Sequence, residues 1–135
     1  MQSDNLFRIS LKCLIKNDQG EVLVVKETRR TSWDLPGGGM DHAESFKTAI
    51  ARELTEEVDF RGAFTYRIIA VEEPKLLLRD LWQVRLVFFV ETSNIEFRAG
   101  LEADEVKFIN PEDLRESDAK VERLVYQYAK ISAVK

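Results

Sequence analysis

The chain has 135 residues, 33% of them charged and 44% hydrophobic, with a formal net charge of −4. That length is one domain with room for a core, spanning 1–135, and the mix excludes a disordered chain. The acidic balance speaks against a general nucleic-acid or membrane-surface binder, so an anionic ligand would need local cations or a metal. A single cysteine, Cys13, cannot form an internal disulfide and fits a reducing compartment. "MQSDNLFRIS" lacks the basic and apolar regions of a signal peptide, and no apolar run approaches the ~18 residues of a membrane span. The expectation is a cytoplasmic protein with neither a membrane nor a nucleic-acid partner.

"RISLKCLIK" alternates, with Ile9, Leu11, Cys13 and Ile15 on one face and Arg8, Ser10, Lys12 and Lys16 on the other, which predicts a half-buried strand with Cys13 in the core. "NDQG" is a turn and "EVLVVKE" a second strand, together a hairpin. A polar loop, "RRTS", leads to a short strand, "WDLP", then three glycines and a helix from about Ser45 to Val58. Two long strands, "FTYRIIAVEE" and "DLWQVRLVFFVET", flank "PKLLLR", read as a turn or wide hairpin. In the second strand Trp82, Val84, Leu86, Phe88 and Val90 share one face, while Gln83 and Arg85 lie on a mixed face that could look into a pocket. "SNIEFRAGLEAD" reads as an exposed loop and "EVKFIN" as a short strand; Asn110 before Pro111 starts a helical turn. A final helix follows, with Val121, Leu124, Val125 and Tyr128 at helical spacing. The order β-β-β-α-β-β-β-α is that of an α+β domain.

The central helix crowds Glu53, Glu56 and Glu57 into one turn. At about 100° per residue, and with Glu53 at zero, Glu57 falls near +40° and Glu56 near −60°, among Phe46, Ala49, Ile50 and Leu54. The carboxylates thus share the apolar stripe instead of the solvated side. Like charges at these spacings repel, partial burial raises the cost, and the helix C-terminus disfavours negative charge. Arg52, four residues before Glu56, offsets one charge; a divalent cation would offset the rest. With oxygen ligands only, a hard ion such as Mg²⁺ or Mn²⁺ is the natural choice.

From Gly38, five residues to Glu44 and seven more to "RELTEEVDF", the sequence resembles the Nudix box, G-x5-E-x7-R-E-U-x-E-E-x-G-U with U bulky and apolar. Eight of nine specified positions agree: Gly38, Glu44, Arg52, Glu53, Leu54, Glu56, Glu57 and Phe60. The flanking "WDLPGG" and "EADEVKFINPEDL" extend the resemblance to roughly Ile9–Leu114. The exception is Asp59, where the box has glycine. A left-handed residue is expected there after the helix, which Asp tolerates at a cost of about 1 kcal/mol.

The resemblance implies a Nudix-type α/β/α sandwich, a mixed sheet with the box helix and a C-terminal helix. It also implies metal-dependent hydrolysis of a nucleoside diphosphate linked to another group. Glu53, Glu56 and Glu57 then look like metal ligands, with Glu44 an outer contributor, for Mg²⁺ or Mn²⁺. Arg52 would orient a glutamate through a bidentate pair, which Lys could not reproduce. Glu53, Glu57 and Arg52 are candidate catalytic residues, joined by a glutamate before the closing strand: Glu102, with Glu105 as runner-up. Gly37 and Gly38, whose N–H groups can point inward, and Arg29 and Arg85 are candidate substrate contacts, with Arg30 beside them. His42 reads as a loop residue, Trp33 as packing beneath the box and Trp82 as core. The substrate expected is a (d)NTP, cleaved by a pyrophosphatase. The alternatives are ADP-ribose or a nucleotide sugar, or a nucleotide-binding Nudix domain without hydrolysis. The residues leave monomer and homodimer equally open.

Overall fold

The computed structural model describes residues 6–131; half of the stretch read for a leader, residues 1–5, lies outside it. Six strands and two α-helices follow the expected order: β1 Phe7–Leu14, β2 Val22–Glu27, β3 Gly37–Gly39, α1 Phe46–Val58, β4 Thr65–Leu78, β5 Leu81–Glu91, β6 Ala103–Ile109, a 3-10 turn Pro111–Leu114 and α2 Lys120–Ala129. A mixed four-stranded sheet runs β3-β1-β5-β4, with β1 parallel to β5 and the other pairs antiparallel; β2 and β6 form a separate antiparallel pair.

β2 is the central plank, because its alternate side chains feed two cores. Leu23 and Val25 pack with Leu11, Cys13, Phe88 and α1's Ile50 and Leu54. Val22 and Val24 pack with Leu14, Val87, Leu114 and α2's Val125 and Tyr128. Helices therefore cover the sheets from both sides, the α/β/α arrangement. Cys13 is fully buried in the first core, where burial pushes its thiol up and leaves it a packing residue. α1 starts at Ser45, whose hydroxyl accepts from the Thr48 N–H at 3.1 Å, and ends at Asp59 in the left-handed region, φ 53°.

Five expectations about local structure need correction. β1 and β2 are joined by a tight turn at Asn17–Gly20 and a single bridge, Lys16 to Val22, but belong to different sheets, so no extended hairpin forms. The short strand is Gly37–Gly39 rather than "WDLP", of which Asp34 alone bridges, to Val25. "PKLLLR" is no wide turn: β4 runs through it to Leu78 and reverses over Arg79 and Asp80, with Pro74 at a register shift where its missing N–H is tolerated. Trp82 is exposed, not core, and Trp33 packs with the α2-side core, with the ammonium groups of Lys26 and Lys107 each within 5 Å of its ring centre, not beneath the box helix.

Candidate active site

The cleft lies on the α2-side face of the four-stranded sheet. Ser10 pairs in register with Arg85 and Arg8 with Gln83, so these side chains make its floor. The loop Arg29–Ser32, the β3 glycines, the end of α1 and α2's Val121 and Leu124 make its walls, around a volume of about 1050 Å³. Arg29, Arg30 and Arg85 all line it, as do Gly37 and Gly38. Arg8, Lys75 and Lys120 join them, and nothing local in the sequence singled these out.

The acids divide into groups that helix spacing could not separate. Glu53, Glu56 and Glu102 each bring one carboxylate oxygen within 4.8 Å of the others. Glu102 reaches them because the loop before β6 is tied to the end of α1, its own N–H bonding the Glu56 carbonyl at 3.1 Å. Glu105 points away and pairs with Lys26 at 3.5 Å. Glu57 instead turns inward: its Oε1 accepts from the Gly37 N–H at 2.9 Å. Glu44 belongs to Arg52, accepting from its Nε at 2.8 Å and Nη2 at 2.9 Å, and from the Asp41 N–H at 2.7 Å. The same guanidinium reaches Glu53 at 3.0 Å, Glu56 at 3.3 Å and the Gly39 carbonyl at 3.0 Å. The bidentate pair is thus with Glu44, and Arg52's remaining donors hold the two helix carboxylates.

Two glycines are set by this packing. A Cβ on Gly37 would lie 2.0 Å from the Leu11 carbonyl oxygen, and its φ of +146° is closed to other residues. A Cβ on Gly38 would stand 2.7 Å from Glu53 Oε1, so the missing side chain leaves room for that carboxylate.

The electrostatics are those of a site with surplus negative charge. Hydrogen bonds from Arg52 and the Asp41 N–H hold the Glu44 carboxyl down at about 2. Burial pushes Glu53 up despite Arg52, and burial together with Glu102 pushes up Glu56. Glu57 is pushed up to about 9, by burial first and then by Glu27 and Glu53, against the pull of Lys12 and the Gly37 N–H.

Lys12 is the residue that sequence reading misplaced. Alternation put it on the polar face of β1, yet it is 5% exposed. Its Nζ sits 3.1 Å from Asp34 Oδ2 and 3.5 Å from Glu27 Oε1, and donates to the Leu35 and Gly37 carbonyls at 3.3 and 3.4 Å. Burial disfavours its charge, but Asp34, Glu27 and Glu57 outweigh that and hold the ammonium above its usual range.

A sheet sandwiched between two helices, with an arginine-tied group of glutamates at the mouth of a cleft that arginines and lysines also line, defines an α/β/α domain with an oxygen-rich candidate metal centre. The NUDIX domain family matches residues 6–129, and the chain belongs to that family. Among curated relatives, it is 38% identical over 74 residues to a protein named RNA pyrophosphohydrolase from Ruthia magnifica subsp. Calyptogena magnifica, covering 55% of this chain and 40% of that one. It is 31% identical over 98 residues to a Bacillus subtilis (strain 168) protein provisionally named 8-oxo-dGTP diphosphatase, covering 73% and 63%. The chain thus spans 40% and 63% of these relatives' lengths. Among solved structures, the MutT protein from Methanosarcina mazei Go1 superposes with a TM-score of 0.76 at 22% identity, covering 99% of this chain and 100% of that one. The NUDIX domain of Shewanella oneidensis NrtR, solved with ADP ribose, gives 0.70 at 18% identity over 96% and 88%. At such identities these two establish the fold alone. Among the described residues no helix is long and apolar enough to cross a membrane.

Proposed function

We propose that this chain is a metal-dependent pyrophosphohydrolase that cleaves a phosphoanhydride bond in a nucleotide, with a (d)NTP as its substrate, in the cytoplasm. The observation carrying this reading is the convergence of Glu53, Glu56 and Glu102 at the cleft. Oxygens within 4.8 Å of one another match the span of one hard cation with ligands at about 2.0–2.6 Å. The donor set is all carboxylate, which suits Mg²⁺ or Mn²⁺ and disfavours softer metals. The upward push on Glu53 and Glu56 is the behaviour of acids awaiting a counter-charge.

Glu53, Glu56 and Glu102 would hold the ion, Glu57 would support it from beneath, and Glu44 would act through Arg52. When bound, such an ion neutralises phosphate charge and polarises the bond to be cut. Arg52 fixes Glu53 and Glu56 by shared hydrogen bonds, so the acids do not reorganise when substrate arrives. Arg29, Arg30 and Arg85, with Arg8 and Lys75, face the cleft as phosphate partners. Val121 and Leu124 offer the apolar wall against which a base would rest.

The name of the first relative favours one second reading, in which the triphosphate sits at the 5′ end of an RNA. The test is phosphate and pyrophosphate release with Mg²⁺ and then Mn²⁺. The panel is all (d)NTPs, ADP-ribose, nucleotide sugars, a diadenosine polyphosphate and a 5′-triphosphorylated oligoribonucleotide. Metal-dependent release from (d)NTPs is expected. Preference for ADP-ribose or the RNA end would replace the substrate, and silence throughout would replace hydrolysis with nucleotide binding.

A further inference from the structure

The face of the four-stranded sheet opposite the cleft is only partly covered. Register pairs Tyr66 with Val90, Ile68 with Phe88, Val71 with Leu86, and both Leu76 and Phe7 with Trp82, so all of these share the side that buries Phe88 and Val90 beside α1. Phe46, at the first turn of α1, meets the Phe88 ring at 5.2 Å. Yet Phe7, Tyr66, Ile68, Val71, Leu76 and Trp82 remain 39–62% exposed. A fully exposed aromatic side chain presents about 150–250 Å² and an aliphatic one somewhat less, so these six leave roughly 500 Å² of apolar surface in water. That is the upper range for a patch on a monomer.

We infer that this face is the contact surface of a homodimer, the occupant being a second copy of the chain packed face to face. Three observations select that occupant. None of the six side chains is charged, and a two-fold contact brings like residues together, where any charge would meet itself. Aromatics without charge at the centre are the composition of homodimer interfaces. A lipid surface would call for cations around such a patch, and the chain carries a net charge of −4. The area also fits: two copies would bury on the order of 1,000 Å², the low end of a specific interface, which predicts a reversible dimer.

The free edge of β4 is the weaker candidate for self-association. Its pairing with β5 shifts register at Ile68/Ala70, Glu72/Lys75 and Leu76/Leu78, and Pro74 lacks an N–H. Edges interrupted in this way are poor templates for another strand. The face has a functional counterpart, because Lys75, Leu77, Gln83 and Arg85 of the same ribbon line the cleft on the other side. A second copy would brace that wall.

The test is analytical ultracentrifugation of the full chain across about 1–300 µM, the range in which a low-end interface dissociates. Wild type, Trp82→Glu and Val71→Lys are compared, with circular dichroism confirming that each is folded. A concentration-dependent dimer in wild type, with the dissociation constant raised at least about tenfold in both variants, is expected. Val71 is 62% exposed and tolerates the change even if Trp82→Glu fails to fold. A wild type that stays monomeric over the whole range, or a dimer that persists unweakened in folded Val71→Lys, would overturn the assignment. Neither result bears on hydrolysis, since the readout is mass alone.

Discussion

Replacing Lys12 with Met removes the ammonium that Asp34 and Glu27 approach at 3.1 and 3.5 Å, and the donor that serves the Leu35 and Gly37 carbonyls. Met keeps the length of the stem, so packing is largely retained and the loss is electrostatic. Breaking a buried ion pair by removing one partner costs about 3–5 kcal/mol. The Glu27 and Asp34 side chains are 30% and 21% exposed, so water can reach both, which places this site at the low end, about 3 kcal/mol. At roughly 3–4 °C per kcal/mol for a chain of this length, the melting temperature should fall by about 10 °C. Lys12→Met with Asp34→Asn should recover about half of that, because the pair is then dismantled from both sides. The ammonium is held above its ordinary 10.5, so its contribution is complete below that pH and disappears only as pH rises beyond it. Calorimetry at pH 6 and pH 9 should therefore give the same difference between wild type and variant. A melting point within about 2 °C of wild type would refute the claim that this lysine neutralises the acids beneath the cleft.

Glu53→Gln, Glu56→Gln and Glu102→Gln should each lower metal-dependent turnover by about a hundredfold or more while Glu105→Gln leaves it unchanged, as steady-state kinetics will decide. Metal-free protein should lose stability as pH rises from about 5 to 9, because folded Glu57 keeps its proton up to about 9 whereas the unfolded chain releases it near 4.5. Added Mg²⁺ should then raise the melting point more at pH 8 than at pH 5.5, and an equal rise at both would contradict this. Asp59→Gly should stabilise by about 1 kcal/mol without altering turnover, since the exposed contacts of Asp59 with Arg61 and Arg98 contribute little; equilibrium urea unfolding measures it. Gly38→Ala should retain the fold and reduce turnover by displacing Glu53, whereas Gly37→Ala should give insoluble protein, a contrast read by expression and assay together.

The elements legible in the sequence were those whose period and punctuation agree. α1 has Ser45 as its cap and Asp59 in the left-handed position, and its burial falls on the stripe that holds Glu53 and Glu57. β5 alternates as expected, sending Gln83 and Arg85 to the cleft. Pairing was less legible, because alternation says which face a residue occupies and not which strand lies beside it. β1 and β2 looked like hairpin partners, yet β1 is flanked by β3 and β5 and β2 by β6. Pro74 misled in the same way: it breaks a ladder only where its N–H would be needed, and a register shift removes that need. Lys12 was unreadable because a buried lysine is identified by its partners, and Asp34 and Glu27 lie far along the chain.

The glutamates show where spacing stops being informative. Glu53 and Glu57 differ by about 40° on the wheel, and no rule of periodicity assigns them different neighbours. One turn of helix, about 5.4 Å, carries Glu57 past the cleft mouth to the Gly37 N–H and the vicinity of Lys12. Glu53 stays beside Arg52, Glu56 and Glu102. The distinction comes from β3, whose first glycine approaches the Leu11 backbone so closely that its N–H is turned towards Glu57. Glu57 is thereby coupled to the core through Lys12, and Glu53 to the cleft through Arg52. Substitution at either position should cost turnover about a hundredfold or more, and both should flatten the pH dependence of folding in metal-free protein, Glu57→Gln the more strongly because Glu57 is the acid pushed up to about 9. Identical stability profiles for Glu53→Gln and Glu57→Gln between pH 5 and 9 would mean that the two carboxylates share one environment after all.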